Sequence, residues 1–354
     1  MNVTPDIPPL PIAKHRIELV TRGEPSVVSY SMRSTRALCC TACMTRLDPS
    51  PDGLTCPDCR AFVPQSEGIF DFLLTPTREV ATELKGLAAE NHVDIGAGLG
   101  SVKLMARPAE GPAELMARSR HKPVQYYQQT TSAYLEALAR SQIDAGLDVL
   151  EIGSERTHHK LRMIKDLCSS AYALNIFFHV PQDVESRDFV TRVLADMSSQ
   201  LPFLDESLDL VIVSASLHHA PNLTEALKEV ARVLRRGGRA IVVNEPVEGA
   251  AKRLGSRLHH DRNSLIKEDP ITWHAWKHAI EASGLGGDHF LPAWFIGRVK
   301  RFEALSPDTR FYSLAKAMRV IVGLPALGEL ARLVGRVPGQ RILGLPLNAV
   351  LWKT

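Results

Sequence analysis

The sequence predicts an α/β protein: a doubly wound, mainly parallel sheet preceded by a small four-cysteine module. Three observations predict it. From about residue 147, short apolar runs alternate with amphipathic segments, the pattern of strands joined by helices. The run Leu208-Asp209-Leu210-Val211-Ile212-Val213-Ser214 is almost continuously apolar, as a strand covered on both faces must be. Five of the 6 cysteines crowd between Cys39 and Cys59, while Cys168 stands alone.

The strands of the α/β half follow in order. Asp148 to Gly153 reads as a buried strand ending at a glycine, Ala171 to Asn175 as the second and Val193 to Asp196 as the third. The fourth is the run from Leu208 to Ser214. A helix then carries Leu223, Ala226, Leu227, Val230 and Leu234 on one face. Its last turn holds Arg232, Arg235 and Arg236, and Gly237-Gly238 stops it, in keeping with helix dipole and C-cap preferences. The fifth strand runs from Arg239 to Asn244, a helix over 272–284 ends in a glycine cap, and Leu345 to Trp352 reads as the closing strand.

The cysteines read Cys40-x2-Cys43-x12-Cys56-x2-Cys59. Two such knuckles, separated by the turn-forming stretch Asp48-Pro49-Ser50-Pro51-Asp52-Gly53, place four thiolates around one tetrahedral Zn²⁺. Paired disulfides are the alternative, which a reducing compartment disfavours. Four thiolates close the coordination shell, so the ion is expected to be structural, with Cys39 a bystander.

Length and composition set the frame. With 354 residues, 45% apolar and 23% charged, the chain is long enough for two domains or one large domain with an appendage. The expected divisions are an extended leader over 1–36, a zinc ribbon over 37–75 and a helical connector over 76–145. An α/β domain over 146–354, with a helical insertion near 300–340, completes the chain. Within the connector, 77–90 and 123–140 have helical periodicity. A net charge of +3 gives no global attraction to nucleic acid. No apolar run approaches the ~20 residues of a membrane-spanning helix, and the prolines near the start do not suit a signal peptide. The expected location is cytoplasmic.

The chain resembles the class I S-adenosylmethionine-dependent methyltransferases, small-molecule branch. Three segments carry the resemblance: Ala195-Asp196-Met197-Ser198-Ser199-Gln200-Leu201-Pro202-Phe203 with the following Asp205 to Val211, then Leu217-His218-His219, then Ala231 to Gly238. It is good over 147–246 and loose beyond. The ribbon running into Glu67-Gly68-Ile69-Phe70-Asp71-Phe72-Leu73 is similar to the zinc-ribbon front end of some bacterial members. The resemblance implies a Rossmann-like sheet of seven strands and S-adenosylmethionine as cofactor. It also implies that Glu151, Gly153 and Ser154 meet the cofactor's amino-acid part, that Asn175 meets the ribose, and that Asp196 and Met197 meet the adenine. Ser214 is placed beneath the sulfonium. This chain departs from the family where the glycine motif runs Glu151-Ile152-Gly153-Ser154-Glu155-Arg156-Thr157, keeping one glycine, and where Asn175 stands in place of an acid.

Of the histidine pairs, His218 and His219 lie at the mouth of the expected site and are the candidates for a general base. His158 and His159 sit where the cofactor carboxylate is expected, in an electrostatic or solvent-exposed role. Residues 311–336 interleave apolar and basic side chains, and 301–354 holds eight basic and three acidic residues. That segment suits a lid, a dimer face or peripheral membrane contact. The leading functional expectation is methyl transfer to a small or medium-sized metabolite: a sugar, lipid-linked glycan or natural product. RNA base methylation is the second, set against it that residues 1–75 hold seven basic and eight acidic residues, no phosphate-binding surface. A catalytically silent scaffold is the third, suggested by the reduced glycine motif.

Overall fold

The computed structural model describes residues 35–66, 68–90, 103–106, 146–154, 158–180, 189–249, 271–288 and 347–354. The leader up to residue 34, the helix expected over 123–140, Glu155 and Thr157, and the segment 311–336 lie outside the described residues.

Four short strands, β1 (Asp48–Ser50), β2 (Gly53–Thr55), β3 (Phe62–Ser66) and β4 (Ile69–Asp71), form the antiparallel ribbon, and α1 (Arg78–Glu90) follows. β5 (Leu104–Ala106) is paired only with β8 (Phe178–Val180). The α/β half contains β6 (Leu147–Ile152), α2 (His159–Met163), β7 (Cys168–Asn175), β9 (Val190–Leu194), β10 (Leu208–Ser214), α3 (Leu223–Val233) and β11 (Leu234–Glu245). Then come β12 (Val247–Glu248), β13 (Ile271–Thr272), α4 (Trp273–Ala282), β14 (Leu285–Asp288) and β15 (Leu347–Lys353).

The main sheet has the order β1-β2-β3-β4-β9-β7-β6-β10-β11-β15-β14. From β9 to β11 all neighbours are parallel, and β15 is antiparallel to both β11 and β14. Seven of these strands, β9 to β14 in that row, form the doubly wound part, with chain order reversing between β6 and β10. β4 adds in parallel to β9, so among the described residues eleven strands form one sheet. Pairing joins Phe70 to Val193, and the edge that β9 would otherwise expose is covered.

Both sheet faces are packed. All six residues of β6 are buried, and the two core clusters take alternate residues: Leu150 and Ile152 with Val211 and Val213 on one side, Val149 with Leu210 and Ile212 on the other. α3 starts where Asn222 Oδ1 accepts from Glu225 N at 3.2 Å, and it buries Ala226, Leu227, Val230 and Val233. α4 is capped by Thr272 Oγ1 accepting from Ala275 N at 3.2 Å. Its two tryptophans are core residues, Trp276 fully buried with Nε1 donating to Pro246 O at 3.3 Å.

Several boundaries differ from expectation: β7 starts at Cys168 and β11 at Leu234, earlier than expected, and two further differences bear on the sheet end and the site. α3 ends at Val233, because Leu234 already pairs with Leu208; Arg235 and Arg236 therefore lie in β11. Arg235 bonds Asp209 Oδ2 at 2.6 Å and the buried Asp148 Oδ2 at 2.9 Å, tying β10, β6 and β11 at the end of the sheet remote from the strand C-termini. The third strand runs Val190–Leu194, so Asp196 stands two residues past its end, on a loop.

Candidate functional site

At the C-terminal ends of the strands, beside the β6/β10 reversal, lies a cavity of about 1160 Å³. In doubly wound sheets this switch point is where ligands bind. Gly153 after β6, Asn175 ending β7, Asp196 and Met197 after β9, and Ala215, Ser216, His218 and His219 after β10 line it. α1 and α4 close it with Arg78, Glu79, Glu83, His274 and His278.

Gly153 adopts φ 70°, the left-handed region, and a Cβ there would stand 1.7 Å from Ser216 Oγ. The two loops meet face to face at this glycine. Asp196 is oriented by Ser198, whose N and Oγ donate to Oδ1 at 2.8 and 2.6 Å. Its Oδ2 accepts from Thr77 Oγ1 at 3.3 Å, and the same hydroxyl accepts from Val80 N at the start of α1. Asn175 is held by its own loop: Nδ2 donates to Ser154 O and Oδ1 accepts from Ile176 N, both at 2.8 Å.

Three expected residues do not line the cavity. Glu151 is fully buried beneath it, where Lys160 Nζ at 3.0 Å and Ser154 Oγ at 3.1 Å satisfy its carboxylate. A carboxylate at zero exposure needs such a partner, and the partner keeps it from the cavity. Ser154 is itself buried, its Oγ 2.7 Å from His158 Nδ1. Ser214 ends β10 but is displaced by Ala215, which turns at φ 50° and hands the lining to Ser216. His158 is buried rather than solvent-exposed.

His218 and His219 lie side by side, ring centroids 4.1 Å apart. The fully buried Glu245 at the end of β11 sits 3.0 Å from His218 Nδ1 and also accepts backbone N–H bonds from Ser216, Leu217 and His218. His219 Nδ1 is 3.8 Å from Glu83 Oε1. Burial pushes the Glu83 carboxyl up, with the Asp196 charge adding to it and His218 opposing. Sequence reasoning missed Glu245 and Glu83. Glu245 had a faint signal, an acid closing an apolar strand; Glu83 had none.

The second site is in the ribbon. The sulfurs of Cys40, Cys43, Cys56 and Cys59 all lie within 4.8 Å of one another, and Cys40 Sγ and Cys59 Sγ are 3.6 Å apart. The two knuckles repeat one geometry. Met44 N bonds Cys40 O and Arg60 N bonds Cys56 O, and Met44 and Arg60 both take positive φ, 58° and 63°. Sulfurs bound tetrahedrally to zinc at ~2.3 Å stand ~3.8 Å apart, so the donor set fits the ion. The thiols share their protons: the Ala61 backbone N–H and the neighbouring thiols draw Cys59 down to about 7, while bonding to Cys59 pushes Cys43 up to about 12 and burial pushes Cys40 up. Cys39 lies outside the cluster, its buried thiol pushed up to about 12 by burial.

A mainly parallel sheet with this reversal and this cavity defines a Rossmann-like fold. A family model described as a methyltransferase domain matches residues 150–242. The Escherichia coli (strain K12) uncharacterized protein YafE is 35% identical over 166 residues, which cover 43% of this chain and 76% of that protein. The chain belongs to one family with that Escherichia coli protein and carries a methyltransferase domain over residues 150–242. Methyltransferase GfsG of Streptomyces halstedii is 28% identical over 116 residues, 31% of this chain and 42% of that protein. Geranyl diphosphate C-methyltransferase from Streptomyces coelicolor A3(2) superposes with a TM-score of 0.41 at 12% identity, covering 70% of this chain and 84% of that one.

Proposed function

We propose that this chain transfers the methyl group of S-adenosylmethionine to a small or medium-sized metabolite such as a sugar, lipid-linked glycan or natural product. One observation carries the reading: the switch-point cavity gathers Gly153, Asn175, Asp196 and Met197 on one side and His218 and His219 on another. The residues fit the cofactor, since the loop closes on a left-handed glycine and Asp196 holds a pre-oriented acceptor at the cavity wall. When bound, S-adenosylmethionine supplies an electrophilic methyl group on a sulfonium centre. The chain's own part is alignment: Asp196 and Met197 hold the adenine, Asn175 the ribose side, and α1 and α4 exclude water. In the ribbon, Cys40, Cys43, Cys56 and Cys59 hold a structural Zn²⁺, an arrangement suited to a reducing cytoplasm.

A second reading, a silent scaffold, is favoured by Ser216 Oγ standing against Gly153 and by the Asn175 amide being engaged by its own loop. The test incubates the protein with isotopically labelled S-adenosylmethionine and an extract of the cells that make it, followed by untargeted mass spectrometry. A metabolite that gains labelled methyl only with active protein supports transfer. Label in RNA moves the substrate to nucleic acid, and no labelled species supports the scaffold.

A further inference from the structure

We infer that His218 takes a proton from the acceptor and Glu245 positions it to do so, so that the acceptor atom is the oxygen of a hydroxyl group; this rests on the methyl-transfer reading above. Four donors converge on the buried Glu245 carboxylate. Ser216 N and Leu217 N reach Oε1 at 2.8 and 3.1 Å, while His218 N and His218 Nδ1 reach Oε2 at 3.2 and 3.0 Å. A carboxylate surrounded by N–H groups only accepts, so Nδ1 carries a ring proton and, in the neutral imidazole, Nε2 carries the lone pair. The His218 side chain is 4% exposed and lines the cavity, so that lone pair belongs to a ring fixed at the site. Bonding of backbone and ring to one oxygen locks the loop and the imidazole together.

The groups facing His218 are consistent with a proton arriving there. Glu245 is bonded to its Nδ1, His219 stands with its ring 4.1 Å away, and Glu83, 3.8 Å from His219 Nδ1, feels the charges of both His218 and Asp196. Arg78, Glu79, His274 and His278 line the same cavity. An imidazolium at His218 is therefore flanked by carboxylates from β11 and α1. In the transfer, the acceptor oxygen's lone pair forms the O–CH3 bond while the C–S bond breaks and its pair stays on sulfur, leaving a neutral thioether. The O–H pair remains on oxygen and the proton passes to His218 Nε2, from which it returns to solvent as product leaves. An ammonium group can lose its proton to solvent and then attack with a free lone pair, and a thiol ionises within about two units of neutral pH. A hydroxyl does neither, and gains most from a fixed base.

The experiment uses the whole chain with carbon-13 methyl-labelled S-adenosylmethionine and cell extract, reading the linkage of the label by carbon-13 NMR. The expected product carries a methoxyl carbon. With that acceptor purified, His218→Asn is expected to bind S-adenosylmethionine as the wild type does, to keep KM within a few-fold and to lose ~10²–10⁴-fold in kcat, together with the acid limb of the kcat–pH profile. Glu245→Gln should lower kcat with KM unchanged, and Glu245→Asp should restore part of it. If loss of the cap prevents Glu245→Gln from folding, His218→Asn leaves all three backbone contacts in place and decides alone. Independently of turnover, nitrogen-15 spectra of the wild-type histidine rings should show His218 protonated on Nδ1. Label on nitrogen, sulfur or carbon, full kcat with the acid limb intact in His218→Asn, or an Nε2-protonated ring each overturns the inference. Wild-type protein that neither binds the cofactor nor transfers label overturns the methyl-transfer reading itself, and the inference with it.

Discussion

Gly153 shows how one residue can serve two ends. Its positive φ lets the loop after β6 turn toward the cavity, and its missing Cβ leaves room for Ser216. Gly153→Ala should destabilise the fold by about 1–3 kcal/mol, from the left-handed conformation and the clash together. Adding Ser216→Ala should recover only the part of the clash due to Oγ, since Ser216 Cβ would still stand 2.6 Å from the new methyl, so a double-mutant cycle by chemical denaturation isolates the Oγ contribution. Glu83 gives a pH-dependent prediction. Its carboxyl is raised in the folded chain, first by burial and then by Asp196, so the folded state binds that proton more tightly than the unfolded state. The resulting penalty is absent below the unfolded value, grows as pH rises and is complete above the folded value. Glu83→Gln should therefore raise Tm at neutral pH and bring no gain near pH 4; an equal gain at both, by calorimetry, would contradict the burial argument. Asp196, Gly153 and the cysteines were legible in the sequence because strand ends and knuckle spacing mark them. Glu245, Glu83 and Ser216 were not, since their roles arise from elements brought together only by the sheet.

At the scale of elements, the ribbon and α3 grip one loop between them. Cys39 N donates to Pro202 O at 3.1 Å, Leu204 N to Ala37 O at 2.9 Å, and Arg232 reaches Leu201 O and Phe203 O at 2.9 and 2.7 Å. That loop continues from Asp196 and Met197, and the ribbon's last strand leads into α1 over the cavity. Elemental analysis should find about one Zn²⁺ per chain, and none should remain after Cys56→Ser. Hydrogen exchange of that variant should speed up in the ribbon, in 201–204 and in α1, while β6, β7, β10 and β11 stay protected. Uniform loss of protection would mean that the ribbon is part of the global folding unit. Most elements could be read from periodicity, β10 to the residue. α3 was read three residues too long because Arg235, Arg236 and the glycines mimic a helix stop, whereas ion pairing to Asp148 and Asp209 draws Arg235 into the strand.

For the whole molecule, one sheet of eleven strands carries both the cysteine cluster and the cavity. The alternation of apolar runs and helices made the doubly wound part legible, because each parallel strand must be buried on both faces. The parallel addition of β4 to β9 was not legible: three residues pairing across more than a hundred positions leave no periodic trace. Among the described residues, no helix is long and apolar enough to cross a membrane. The measurement that tests the central claim most directly is a calorimetric titration of S-adenosylmethionine into zinc-loaded wild type and into Asp196→Ala. One site per chain is expected in the wild type, with affinity ten- to a hundredfold weaker in the variant, the loss of a charge-assisted acceptor of about 1.5–3 kcal/mol. No binding to the wild type, or an affinity that Asp196→Ala leaves unchanged, would contradict the account.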